Sequence, residues 1–404
     1  MIPFSPPRID DKILNEVVAA LKSGWITTGP RTKLFEKKLL EYTSCAAVLC
    51  LNSATAGLEL MLRWFGVKDG DEVILPAYTY AATANVIVHC GAKPVFVDIN
   101  EHDFNISVYA IEKAITKHTK VIMPVDIAGL PCDYNAINEL VNRKNISNLF
   151  TPQTKEQEQL GRIMVLSDAA HSLGGLYNNK KTGALTDITV FSFHAVKNLT
   201  TAEGGAVCLN LPLPFDNDAI YKYLCVKSLH GQNKDALAKS QIGNWRYDIV
   251  EAGYKYNMTD IQAAMGLVEL ERYDEDMLVK RKMIFDSYTK VFKTKNWAII
   301  PETKNSIRET SYHVYLLRIK NINETQRDKI IQNIYNNGVA VNVHFIPLPS
   351  MTYYQKLGYN MSDYPVTYKN FAHEISLPVY YDLNNEQIET VINTVCASVE
   401  LVIN

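Results

Sequence analysis

The chain predicts an α/β fold: one large domain around a mainly parallel sheet, followed by a small C-terminal α/β domain. Two observations carry this. From about Ala46, short apolar runs alternate with helical patterns, the runs being 46–51, 73–75, 95–97, 121–125, 164–166 and 188–193. Near-continuous apolar strands separated by helices are what a sheet buried on both faces requires. After Trp297 the pattern becomes a strand over 312–319, a helix over 324–336, a strand over 339–345 and a closing helix over 386–402. The 404 residues therefore divide into an N-terminal segment with the large domain, 1–275, and a small domain, 276–404.

In order, Asp10 or Asp11 can cap a helix whose apolar positions are Ile13, Leu14, Val17, Val18 and Leu21, with Gly24 to end it. Trp25 to Pro30 is a loop, and a second helix runs through Phe35 and Leu39. Small polar residues, Asn52 to Thr55, lead into a helix bearing Leu58, Met61, Leu62 and Phe65, stopped by Gly66. Ala81 to His89 is helical. The polar stretch 146–162 reads as a surface excursion, and 259–292 as long helices with an apolar face at Ile261, Ala264, Met265 and Val268.

Composition narrows the function. The chain is 47% hydrophobic and 21% charged with net charge −2, which offers no footing for nucleic acid or a membrane surface. Seven scattered cysteines form no C-x-x-C pair, so disulfide and zinc readings are weak and a reducing cytoplasm is expected. The opening MIPFSPPRIDDK has no signal-peptide pattern, and no run approaches the ~18 apolar residues of a membrane span. No metal is expected.

The chemistry centres on ITVFSFHAVKNLTTAEGGAV, 188–207. Lys197 follows an apolar strand and precedes small, Gly-containing sequence. A lysine in that position can enter a cleft, lose its proton and attack a carbonyl, although most lysines are solvated surface charges. Asp168 ends another strand, with His171 one turn on; read alone, the pair is a helix cap rather than a site. The loop Ser53-Ala54-Thr55 can close on an anion at a helix N-terminus, or simply cap that helix. Tyr78 or Tyr80 can lie flat on an aromatic ligand, and either is equally suited to core. No G-x-G-x-x-G or P-loop pattern is present. An anion loop, an aromatic, a strand-end aspartate and a strand-end lysine on one sheet together fit an anionic aromatic aldehyde, pyridoxal 5'-phosphate, with the aspartate holding its ring nitrogen protonated.

The segments Ser192-Phe-His194-Ala-Val-Lys197 through Gly205, Asp168-Ala-Ala-His171, Trp25-Ile-Thr-Thr28-Gly-Pro30, Ser53-Ala-Thr-Ala-Gly57, Gly253 to Asp260 and Val343-His344-Phe-Ile-Pro resemble the sugar-nucleotide aminotransferases of the DegT/DnrJ/EryC1/StrS family. The likeness runs from about residue 3 to the last helix. It implies the aspartate-aminotransferase fold (fold type I), with a seven-stranded sheet in the large domain, and a homodimer whose active sites are built from both subunits. Carried over by position, Lys197 would bind the cofactor covalently and then shuttle protons. Asp168 would pair with the ring nitrogen, Tyr80 would stack on the ring and His171 would lie beside it. Ala54, Thr55 and Ser192 would bind the phosphate. The 253–260 segment would reach the phosphate of the neighbouring subunit, with Lys255 and Asn257 sharing that duty. Thr28, His194 and His344 are candidates for substrate contact.

The implied reaction is ping-pong transfer of an amino group from L-glutamate to a keto-sugar nucleotide, UDP- or dTDP-linked, for surface polysaccharide or glycan precursors. The Phe-His-Ala-x-Lys form resembles members acting at C4 of the sugar. A sugar dehydratase of the same fold, an aminotransferase for a non-sugar cyclic ketone, and a non-catalytic regulator are the alternatives. Retention of Lys197 and the absence of a DNA-binding motif weigh against the first and last.

Overall fold

The computed structural model describes residues 1–234 and 245–403. Seven strands form the large sheet: β1 (Ala47–Leu51), β2 (Glu72–Pro76), β3 (Lys93–Val97), β4 (Thr119–Ile122), β5 (Met164–Asp168), β8 (Ile188–Ser192) and β9 (Gly205–Leu209). Two short strands, β6 (Leu176–Tyr177) and β7 (Lys180–Lys181), lie between β5 and β8 in sequence. The spatial order is β1-β9-β8-β5-β4-β2-β3, and only β9 runs against the rest. Apolar side chains on both faces of these strands are buried, which explains why they read as unbroken apolar runs. The order reverses direction between β2, which is followed outward by β3, and β4, which is followed on its other side by β5 and then β8. Side chains at the carboxyl ends of these neighbouring strands line one crevice.

The helix Ala54–Trp64 lies close on this sheet. A Cβ on Gly57 would sit 2.9 Å from Val207 and 3.0 Å from Val190, so only glycine permits the approach. Asp10 caps the helix Asp11–Lys22 and Ser53 caps Ala54–Trp64, both through their side chains.

The small domain closes around its own core, with Phe285, Tyr288, Tyr315, Ile330, Ile375 and Val391 at its centre. Ile2 packs into this core and bridges Val339. Its sheet comprises β10 (Ala298–Ile299), β12 (Tyr315–Ile319) and β13 (Glu374–Leu377); β11 (Arg308–Glu309) pairs instead with β6.

Two expectations about strands are corrected, and two further stretches gain detail. The stretch 339–345 is not a strand but makes isolated bridges at Val339 and Asn342. Its amides are spent elsewhere: Val343 N donates to the Asn342 side chain and His344 N to the Glu374 carboxylate. The strand beside β12 is therefore Glu374–Leu377, and it is antiparallel. The strand expected over 312–319 starts only at Tyr315. The helices of 259–292 are Asp260–Glu271 and Leu278–Phe292, separated by a π turn at Tyr273–Met277, where buried Tyr273 donates to the Leu173 carbonyl. The stretch 146–162 lies largely at the surface, as expected, and is anchored there: Ile146 and Gln157 are buried, and Gln157 Nε2 donates to the Phe65 carbonyl at 2.8 Å.

Candidate active site

The carboxyl ends of β5 and β8 and the start of the helix Ala54–Trp64 open into a cavity of about 350 Å³, roofed by small-domain residues. Lys197 lies in it, on the loop just after β8. Burial lowers the lysine's pKa to about 8, and the charge of Asp168 only partly opposes this. Near neutral pH a usable fraction of the amine is therefore unprotonated, as a nucleophile and proton carrier requires.

Asp168 ends β5 on the cavity floor. Thr83 Oγ1 donates to it at 2.8 Å and the amide of Ala170 at 3.2 Å. Burial raises its pKa even so, against the pull of Thr83, the Ala170 amide and Lys197. A buried carboxylate held by two donors and short of a cation suits a protonated ring nitrogen. Thr83 is itself held by Thr79, the two hydroxyls lying 2.8 Å apart. Nothing in the local pattern singles out Thr83, because a threonine in the first turn of a helix is ordinary.

The helix start does two jobs that were alternatives in the sequence. Ser53 Oγ accepts from Ala56 N at 3.1 Å and so caps the helix, while Ser53, Ala54 and Thr55 line the cavity beside Ser192. Gly205 passes directly behind this turn, where an added Cβ would lie 2.4 Å from Ala54 N. That clearance keeps the helix N-terminus turned toward the cavity, where its free amides suit a phosphate.

The two tyrosines differ in place, and Tyr80 is the one at the cavity. It borders the cavity with 65% of its surface exposed, whereas Tyr78 is fully buried among Phe104 and Phe345. His171 accepts from the Ala128 amide through Nδ1 at 3.3 Å, which places its proton on Nε2. Its ring lies 4.4 Å from that of His313 and nearly parallel to Phe345. His313, which sequence reasoning missed, donates from Nδ1 to Asn198 Oδ1 at 2.8 Å. Asn198 is oriented by its own bond to the Ser311 carbonyl. Burial holds His171 and His313 well below the usual histidine range and His344 at about 4, with Lys197 adding to each. The three imidazoles are neutral around Lys197.

His194 and His344 both border the cavity; exposed His194 faces Glu203 at 3.6 Å. Thr28, Lys255 and Asn257 do not line this chain's cavity. Asn257 Nδ2 donates to Thr28 Oγ1 at 2.8 Å, Thr28 donates to the Met258 carbonyl, and Lys255 is exposed. Asp260, in the same segment, is committed to the fold: it accepts from the amides of Gly29, Arg31 and Thr32 at the start of the helix Pro30–Thr43. Among the described residues no group of three or more His, Cys, Asp or Glu side chains could hold a metal ion. No described helix is long and apolar enough to cross a membrane.

Comparison with known proteins agrees with this geometry. The DegT/DnrJ/EryC1/StrS aminotransferase family matches residues 7–150 and 153–396. The spore coat polysaccharide biosynthesis protein SpsC of Bacillus subtilis is 36% identical over 400 residues, 98% of this chain and 96% of SpsC. The solved pyridoxamine-phosphate (PMP) form of Spr1654 from Streptococcus pneumoniae, assigned as a sugar aminotransferase, superposes with a TM-score of 0.96 at 46% identity, covering 100% of both chains. PseC of Helicobacter pylori, an aminotransferase in pseudoaminic acid biosynthesis, superposes with a TM-score of 0.86 at 29% identity, covering 99% of each. Spr1654 has also been solved with pyridoxal phosphate, and the lysine, the buried aspartate and the cleared helix N-terminus fit that cofactor here. The chain belongs to the DegT/DnrJ/EryC1/StrS family and is a pyridoxal-phosphate-dependent aminotransferase with the aspartate-aminotransferase fold.

Proposed function

We propose that this enzyme moves the amino group of L-glutamate to a keto-sugar nucleotide, UDP- or dTDP-linked and aminated at C4, for a surface polysaccharide or glycan precursor. The observation that carries the reading is the cavity itself. Its lining includes the polar side chains of His194, Glu203 and His344, suited to hydroxyl-bearing substrates. The naming of SpsC for polysaccharide biosynthesis and of PseC for a sugar acid supports it.

Bound pyridoxal phosphate supplies an electron sink for the carbon that loses or gains the amine. The chain's part is positional. Asp168 would hold the ring nitrogen charged, Ser53–Thr55 and Ser192 would hold the phosphate, Tyr80 and His171 would flank the ring, and Lys197 Nζ would carry the proton for the transfer. Among the described residues lining the cavity there is no arginine, so the carboxylates of glutamate call for a cation from elsewhere. In a cytoplasmic homodimer with shared sites, the 253–260 segment would bring Lys255 and Asn257 to the neighbouring subunit's phosphate, and exposed Lys255 would be available to those carboxylates as well, with Thr28 bonded to Asn257.

The test is spectroscopic. Purified protein carries a visible cofactor absorbance that bleaches with glutamate and is absent in Lys197→Ala. The pyridoxamine form is then assayed against 3-keto and 4-keto sugar nucleotides. Activity confined to 3-keto compounds would overturn the C4 assignment, and no activity on any sugar nucleotide would overturn the substrate class.

A further inference from the structure

Behind His344 lies a chain of hydrogen bonds that the transfer reaction does not by itself call for. His344 Nδ1 and Ser376 Oγ lie 2.9 Å apart, and Ser376 Oγ lies 2.6 Å from Glu374 Oε1. The second carboxylate oxygen, Oε2, accepts from the backbone amide of His344 at 3.1 Å. Glu374 and Ser376 are neighbours on one face of β13, both fully buried, and His344 crosses them on the irregular segment 339–345. The imidazole is further held by Phe4, its ring 5.4 Å away and nearly parallel, and by Phe345 edge-on. With Nδ1 taken by serine, Nε2 is the ring nitrogen left to serve the cavity.

A serine hydroxyl has one proton, so this chain can run in only two directions. When Glu374 is ionised, Ser376 donates to Oε1 and must accept from His344 Nδ1–H; Nε2 then offers a lone pair. When Glu374 carries its proton on Oε1, the carboxyl donates to Ser376, Ser376 donates to Nδ1, and Nε2 carries the proton. A proton on Oε2 would compete with the His344 amide that already donates there, which favours Oε1 as its site. Because His344 is neutral, its tautomer alone decides whether it gives or receives a hydrogen bond.

We propose that Glu374 and Ser376 are positioning residues that set the tautomer of His344, so that protonated Glu374 makes Nε2 a donor to a substrate oxygen and ionised Glu374 makes it an acceptor. The relay stands whichever ketone accepts the amine. Only the identity of the oxygen that Nε2 meets, a glutamate carboxylate or a sugar carbonyl or hydroxyl, rests on the function proposed above.

The groups around Glu374 favour the donor form near neutral pH. Burial raises its carboxyl to about 8, against Ser376, the His344 amide, Arg327 and Arg318. Arg318, its partner across β12, is turned to Asn370 and the Glu101 carbonyl. Arg327, on the helix Glu324–Asn336, donates to the carbonyls of Phe371 and Glu374 and pairs with Asp328. Neither guanidinium pairs with the carboxylate. Tyr78, facing Glu374 from the loop after β2, has a buried hydroxyl without a hydrogen-bond partner, and adds no cation.

The experiment follows ring-nitrogen NMR signals of 15N-histidine-labelled full-length enzyme across the carboxyl's titration near pH 8, with His344→Gln to identify the signal. Wild type should pass from Nε2–H to Nδ1–H as pH rises. Glu374→Gln donates from its amide to Ser376 and should hold Nε2–H throughout. Its kcat/KM at neutral pH should stay within about threefold of wild type, while the loss of kcat/KM attributable to this group at high pH disappears. Ser376→Ala should uncouple the His344 signal from pH and raise KM about three- to tenfold with cofactor absorbance retained, and Ser376→Thr should restore both. A His344 tautomer that does not change in wild type, or that changes identically in Glu374→Gln or in Ser376→Ala, overturns the relay. Bleaching by glutamate, read on the same samples, reports separately on the transfer reaction.

Discussion

The cavity has two walls of different construction. The large-domain wall presents Asp168, Ser192 and Lys197 from the ends of parallel strands and Ser53–Thr55 from a helix start. The small-domain wall presents His313, His344 and Phe345 from irregular backbone, each held by side-chain bonds or ring contacts rather than by a ladder. The first wall carries the buried charged groups Asp168 and Lys197; the second is neutral imidazole and ring surface. A rigid sheet edge suits chemistry that must be the same in both half-reactions, and the second wall suits adjusting to two different substrates. The division predicts that damage to the first wall abolishes cofactor function, while damage to the second changes substrate handling with the cofactor in place.

The largest effect belongs to Lys197→Ala. On the roles proposed above, losing both the covalent attachment and the proton carrier should lower turnover by about 10⁴-fold or more, measured as 2-oxoglutarate formed from glutamate in the presence of the keto-sugar. Asp168→Ala comes next. Truncating a buried charged partner typically costs about 2–5 kcal/mol, so cofactor affinity should fall about 30-fold or more, read by titrating the apoenzyme and following absorbance. If either variant turned over normally with only a raised KM for the sugar, the two-wall division would be wrong.

A third effect is on stability. In the cofactor-free protein Lys197 sits in a cavity that disfavours its charge, moving its pKa from 10.5 to about 8. Between those values the unfolded chain binds the extra proton, so wild-type stability should rise with pH through that window. Below about pH 8 both states are charged and the cost is full, at most about 3 kcal/mol at 1.36 kcal/mol per pH unit. Lys197→Met should therefore stabilise the apoenzyme by about 1–3 kcal/mol at pH 7. The gain should fade toward pH 10.5, as denaturant melts at several pH values would report. A gain independent of pH would mean the lysine is destabilising through shape rather than charge.

The same division explains what could be read from the sequence. The first wall was legible because a βα repeat places strand-end residues predictably: Asp168 and Lys197 each follow an apolar run, and small residues at 53–55 precede a helical pattern. The second wall was not. His313 lies before β12 begins, and its position depends on Asn198, 115 residues earlier in the chain. The stretch 339–345 alternates like a strand, but the amides of Val343 and His344 bond to side chains, and only tertiary contact decides that. Thr83 was invisible for the same reason, since its partner Asp168 is 85 positions away. His344 and His194 came from family likeness, and the geometry adds what each one touches.

The smallest effect tests the joint between the walls. Asn198 adjoins Lys197 in sequence yet holds His313 of the other wall through Oδ1 and the Ser311 carbonyl through Nδ2. Asn198→Ala removes the acceptor that fixes the His313 proton on Nδ1 and leaves that N–H buried without a partner. The loss should be about 1–3 kcal/mol in whichever state uses His313, which is roughly a five- to hundredfold change. On the two-wall reading, the visible absorbance and the apoenzyme's affinity for pyridoxal phosphate stay near wild type, and the loss falls on kcat/KM for glutamate or the keto-sugar. His313→Gln should behave alike, because it too removes the ordered imidazole while leaving Asp168 and Lys197 in place. If Asn198→Ala instead released the cofactor, the bond would be supporting Lys197 from behind, and the neutral wall would belong to the cofactor grip as much as the charged one.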